Sequence, residues 1–141
     1  MVYQKISEYI SKKLFDSNFL ILKFDKNPQS IYYIKNQTDN IINFLKKYHE
    51  CILKVDQFVK RRGKKGLVRF VKSTEEIIKF INEKEYDTFI LEPKYKILKE
   101  YYLCLKQVNN GIEYIFNENG GINLVDPYEN GIIENNSKRF I

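Results

Sequence analysis

The chain has 141 residues, with 43% hydrophobic and 15% aromatic side chains, which is enough apolar material for one folded domain and too much for intrinsic disorder. Its 24 Lys and Arg against 18 Asp and Glu leave a net charge of +6, which favours anionic partners such as nucleotides, phosphorylated metabolites or nucleic acid. No apolar run nears the roughly 20 residues of a membrane span, and MVYQKISEYI lacks the apolar stretch of a secretory leader, so no membrane partner and a cytoplasmic setting are expected.

Ile6, Ile10 and Leu14 recur every four residues and predict a helix from about Ser7 to Phe15, its stripe a packing face. Leu20 to Phe24 and Ser30 to Ile34 read as short extended segments on either side of the turn cluster Asp25-Lys26-Asn27-Pro28. Thr38 or Asp39 is a candidate cap for a second helix with the stripe Ile41, Ile42, Leu45 and Tyr48. Two apolar runs, Cys51 to Lys54 and Leu67 to Val71, flank the basic segment Arg61-Arg62-Gly63-Lys64-Lys65-Gly66. Glycines and cations between two strands predict an exposed, mobile flap suited to a polyphosphate, with Lys54 adding a fixed charge. The flap matches neither GxxxxGK[ST] nor GxGxxG, and KRRGKK also reads as a solvated loop or a nucleic-acid patch.

Ser73-Thr74-Glu75-Glu76 has capping-box spacing and starts a third helix that buries Ile77, Ile78 and Ile81 and fades near Glu85. Thr88 to Leu91 is a strand that stops at Pro93. Glu100 to Val108 and Ile112 to Phe116 form a hairpin through Asn109-Asn110-Gly111, and Ile122 to Val125 adds one more strand. Beyond Asp126 the composition turns polar, which predicts a domain over 1–126 and a poorly packed tail over 127–141. Cys51 and Cys104 read as buried free thiols, and the lone His49 has no evident ligand partners, so no metal site is expected in this chain. The alternation of elements predicts an α/β sandwich of the α+β type, a mostly antiparallel sheet with helices on one face.

Lys54-Val55-Asp56-Gln57 through Lys60-Arg61-Arg62-Gly63-Lys64-Lys65-Gly66-Leu67-Val68 closely resembles the nucleotide-binding segment of ATP-citrate synthase (ATP-citrate lyase), where a proline usually stands at Val55. The resemblance extends to KISEYISKKL, to Phe89 through Pro93, to Glu100-Tyr101-Tyr102-Leu103 and to Gly120-Gly121-Ile122; succinyl-CoA synthetase β-subunits are similar but more distant. It implies an ATP-grasp nucleotide-binding lobe. On that pattern Lys54 contacts phosphate oxygens, and Arg62 and Gly63 lie against the nucleotide. Pro93 and Tyr95 form the hinge that reads adenine through the backbone, and Glu100 accepts the ribose hydroxyls. The stretch from Pro93 to Glu100 is slightly shorter here than in the family.

Asn119 and Asn123 stand where the family carries acidic residues. The resemblance also implies that the chain stops before the Mg²⁺-binding part of the second lobe, the citrate and CoA modules and the phosphorylated histidine, which His49 is not. In the full family reaction ATP phosphorylates a histidine, the phosphate passes to citrate, and CoA captures the citryl group to give acetyl-CoA and oxaloacetate. The expected function is therefore the ATP-binding portion of such an acid–CoA ligase, with ATP and weak or absent Mg²⁺, no catalytic residue of its own, and a remaining subunit or lobe as partner. Alternatives are a non-catalytic regulatory or remnant protein that pairs with a related enzyme, and a basic nucleic-acid-binding domain, the less favoured of these partners.

Overall fold

A computed structural model describes residues 6–15, 18–23, 31–109, 111–120 and 138–140, the side chains of 31–36 and 138–140 excepted. The described elements fall into two compact units, residues 1–95 and 96–141, where one domain with a short tail was expected.

In the first unit, α1 (Glu8–Lys12) precedes β1 (Leu20–Lys23), α2 (Ile31–Tyr48), β2 (Cys51–Val55), β3 (Val68–Val71), α3 (Thr74–Glu83) and β4 (Thr88–Pro93). The strands form one antiparallel sheet in the order β1-β4-β2-β3, with Leu53 opposite Leu91 and Cys51 opposite Val71. Period-2 alternation sorts its two faces. Leu22, Cys51, Leu53, Val55, Val71, Phe89 and Leu91 lie in one core with Ile41 and Phe44 of α2 and Ile77, Phe80 and Ile81 of α3. Lys54, Glu92 and Phe70 alternate with them and belong to the opposite face.

That opposite face carries α1, through ion pairs from Glu8 to Lys54 and from Lys12 to Glu92. The expectation of helices on one face therefore holds for α2 and α3 and fails for α1. Nor does the α1 stripe pack as expected: no residue of this helix is buried, and Ile6, Ile10 and Leu14 remain 52%, 50% and 75% exposed. Polar contacts and one edge-on ring contact, Tyr9 with Phe19, hold it in place of apolar burial.

A second correction concerns Ser30 to Ile34. The run Ile31-Tyr32-Tyr33-Ile34 has strand-like composition, yet it forms the first turn of the 18-residue α2, so Thr38 and Asp39 are interior positions and not caps. Gln37 on α2 ties the helix to the sheet: its Oε1 accepts from the Lys23 backbone N–H at 3.2 Å, and its Nε2 donates to the Lys23 carbonyl at 2.8 Å. The α3 cap forms as the spacing requires. Ser73 Oγ accepts from the Glu76 N–H at 3.3 Å, and the Glu76 carboxylate accepts from the Lys72 N–H at 2.7 Å. On α3 Ile77 and Ile81 are buried as expected, Ile78 only half-buried, and Phe80 completes the inner stripe.

The second unit is a three-stranded antiparallel sheet, β5 (Tyr102–Val108), β6 (Gly111–Asn117) and β7 (Lys138–Phe140), in that order. Val108 pairs with Gly111, which leaves the two-residue Asn109-Asn110 connection that an asparagine-rich hairpin turn needs. Residues 138–140 pair with β6, so the expected polar tail contributes a strand. The turn at 25–28, the strand at 122–125, Gly121 and Asn123 lie outside the described residues.

Candidate anion-binding site

The 12 residues between β2 and β3, Asp56 to Leu67, leave and rejoin the sheet at neighbouring points: the Val55 N–H donates to the Leu67 carbonyl at 3.0 Å. The basic segment between them is exposed apart from Arg62, as expected, and it is folded on itself. The Lys65 N–H donates to the carbonyls of Arg61 and Arg62 (3.2 Å each), the Gly66 N–H to the Gly63 carbonyl (3.2 Å), and the Leu67 N–H to the Arg62 carbonyl (2.9 Å). Arg61 and Gly66 take left-handed backbone at φ 57° and 65°, so the second glycine supplies a conformation that an L side chain disfavours. A hydrogen-bonded turn, not an open flap, carries the cations.

Arg62 is turned inward. Its guanidinium donates to the Val55 carbonyl at 2.7 Å and pairs with the Glu8 carboxylate. Lys54 reaches the same carboxylate at 3.3 Å and also pairs with Glu92. Lys12 closes the group, 2.5 Å from Glu92 and 3.6 Å from Glu8. Burial opposes ionisation of Glu8, but Lys54, Arg62 and Lys12 outweigh it and hold its carboxyl below the ordinary value. Burial likewise disfavours the Lys12 ammonium, and Glu92 and Glu8 reverse that and raise its pKa.

The helix that delivers Glu8 is fixed from a distance. Asp56 is buried, and its two carboxylate oxygens accept from the backbone N–H groups of Glu8 (2.9 Å) and Tyr9 (3.2 Å), while Ser7 Oγ accepts from Ile10 (3.4 Å). The first three N–H groups of α1 are thus satisfied, two of them by a residue beyond the end of β2. An open groove of about 340 Å³ runs beside Glu8 and Arg62, walled by Ile6, Asp56, Phe58 and Lys60.

Of the six candidate residues, Lys54 and Arg62 meet at one carboxylate, and Gly63 follows Arg62 in the turn. Pro93 is buried at the end of β4 opposite Cys51, and Tyr95 is 57% exposed at the end of the first unit. Glu100 is exposed in the second unit, where its backbone carbonyl accepts from the Gly120 N–H at 3.0 Å. A Cβ at Gly120 would come within 2.6 Å of the Tyr101 carbonyl, so only glycine fits there. Glu8, Lys12, Asp56 and Glu92 escape a reading of the sequence, because each looks like an ordinary surface charge in its own segment. The available signal is that each falls in a stretch that carries the family resemblance, Glu8 and Lys12 in KISEYISKKL, Asp56 in Lys54 to Gln57 and Glu92 in Phe89 to Pro93. Among the described residues, no three His, Cys, Asp or Glu side chains are grouped to hold a metal ion.

No model of a known protein family matches the chain. Two curated proteins of Arabidopsis thaliana, ATP-citrate synthase alpha chain protein 1 and protein 2, are each 29% identical to it over 92% of its length. The chain spans about a third (34%) of the length of these relatives. Among solved structures, the ATP citrate lyase of Methanothrix soehngenii in complex with citrate and coenzyme A superposes with a TM-score of 0.57 at 23% identity, over 81% of this chain and 28% of that one. A mutant ATP citrate lyase of Methanosaeta concilii in complex with (3S)-citryl-CoA gives 0.57 at 20% identity, over 79% and 31%. At these identities the structural likeness establishes the fold, and the two comparisons point the same way. Over the matched length, the chain is similar in sequence to part of the ATP-citrate synthase alpha chains and in fold to part of the ATP citrate lyases.

Proposed function

We propose that this chain is the nucleotide-binding portion of an ATP-citrate synthase-type acid–CoA ligase, an ATP-grasp lobe that positions ATP and depends on another lobe or subunit for the reaction. The observation that carries the reading is the convergence of Lys54 and Arg62 on a single carboxylate beside an open groove. A lysine and an arginine that share one anion are already spaced for oxyanion oxygens, and charge-assisted bonds of this kind are among the strongest polar contacts. Gly63, next in the turn, is assigned a place against the nucleotide on the family resemblance alone. Pro93 and Tyr95 are assigned the adenine edge, and Glu100 the ribose hydroxyls, on the family resemblance alone. A cytoplasmic setting fits the free thiols of Cys51 and Cys104.

The chemistry of the complete ligase stays with the complete ligase. Any Mg²⁺ of the ATP complex is assigned no ligand among the described residues, whose carboxylates are not grouped around a metal position. What these residues do is hold polyphosphate charge in place. Lys54→Ala and Arg62→Ala should each weaken ATP binding by about tenfold or more, since one charge-assisted hydrogen bond is worth ~1.5–3 kcal/mol. Calorimetric titration of the folded variants checks this, and unchanged affinity in either removes that residue from the site.

A further inference from the structure

The position between Lys54 and Arg62 is occupied by an anion, the carboxylate of Glu8. Each cation has a second anchor that does not involve Glu8: Lys54 has Glu92, and Arg62 has the carbonyl of Val55. Both would therefore keep their places if Glu8 left. The formal charges of the group, Lys12, Lys54 and Arg62 against Glu8, Asp56 and Glu92, sum to zero, so the cations of the group itself are already compensated. Glu8 is also the member most easily withdrawn. It sits on a five-residue helix with no buried residue, fastened by the Asp56 and Ser7 caps and by ion pairs.

We infer that Glu8 is an affinity-setting residue of the anion site, an internal counter-ion that competes with phosphate oxygens for Lys54 and Arg62. The proposal rests on the nucleotide-binding reading and deepens it: ATP binds by displacing Glu8, so each binding event gives up the Glu8 ion pairs. A residue that merely positioned the two cations would have the opposite effect, because its loss would weaken binding. The sign of one substitution therefore separates the two.

Glu8→Gln keeps the size of the side chain and removes its charge. Calorimetric titration of wild type and Glu8→Gln with ATP, and separately with inorganic tripolyphosphate, should give about tenfold tighter binding of both anions in the variant. That is the scale of removing one like charge a few ångströms from a half-exposed phosphate. Circular dichroism and thermal melting establish that the variant is folded. A double-mutant cycle with Lys54→Ala supplies the second measurement, since the gain from Glu8→Gln should shrink when one of the two contested cations is absent. Equal or weaker binding of both anions by folded Glu8→Gln overturns the inference while leaving wild-type ATP binding as support for the nucleotide reading. Tighter tripolyphosphate binding with no preference for ATP sustains the inference and sinks the nucleotide reading. No anion binding by any variant overturns both.

Discussion

Glu8 shows how far one residue's behaviour depends on groups distant in the chain. Lys54 and Arg62 hold its carboxyl ionised below the ordinary value of 4.5 despite partial burial. Its folded-state pKa is depressed, so its contribution to stability is complete above the unfolded value and fades as pH falls through the lowered one. Thermal melting of wild type should therefore lose stability as pH falls below the ordinary value of 4.5, and Glu8→Gln should lose less over the same range. Parallel profiles for the two proteins would remove Glu8 as a source of acid sensitivity. Glu50 is held down more strongly, to about 2, by hydrogen bonds from Lys72 and Lys94, but it is an exposed surface pair partner. Burial pushes the Cys51 thiol up to about 11, which makes it an inert core group and not a nucleophile.

At the scale of elements, α1 and α3 are held by different forces. α3 inserts Ile77, Phe80 and Ile81 into the core, and Phe80 also meets Phe89 edge-on with 6.1 Å between ring centroids, with Arg69 over its ring at 4.7 Å. Phe80→Ala should cost ~3–5 kcal/mol by leaving a cavity in this packing. Ser73→Ala removes only the cap and should cost ~1 kcal/mol. Urea unfolding of both variants checks the ratio, and a cap loss as large as the core loss would contradict this account of α3. α1 has no buried residue: the carboxylate of Asp56, the ion pairs of Glu8 and Lys12 and an edge-on contact of Tyr9 with Phe19 at 5.7 Å attach it.

At the scale of the whole molecule, the chain spans about a third (34%) of the length of its curated relatives, and no metal-holding group of side chains is found among the described residues. Phosphoryl transfer is accelerated mainly by positioning and by metal ions that neutralise developing charge, and the loss of one strong electrostatic stabiliser costs roughly 100- to 1000-fold in rate. The purified 141-residue chain should accordingly bind ATP yet release no ADP above background with citrate and CoA in a coupled assay. Turnover within about tenfold of a complete ligase would overturn the division of labour proposed here.

Several features of this protein were set by local sequence. Alternating apolar residues in Cys51–Val55, the Ser73 cap before Ile77, and the short asparagine-rich link between Val108 and Gly111 each act through neighbours within a few positions, so their spacing alone specifies the strand, the helix start and the hairpin. Lys54 and Arg62 were legible as anion-site candidates because the basic turn and its flanking strands form one continuous, recognisable stretch. The start of α2 was not legible. Ile31 to Ile34 favour extended structure by composition, and their helical state reflects the packing of Ile41 and Phe44 farther along the same helix. Nor was the partner of the two cations. Glu8 precedes Lys54 by 46 residues and Arg62 by 54, and its place is fixed by Asp56, whose carboxylate caps a helix 48 residues earlier in the chain. Charge pairing at that separation leaves no periodicity in the sequence, and only the folded sheet, with α1 laid on its outer face, brings the carboxylate to the cations.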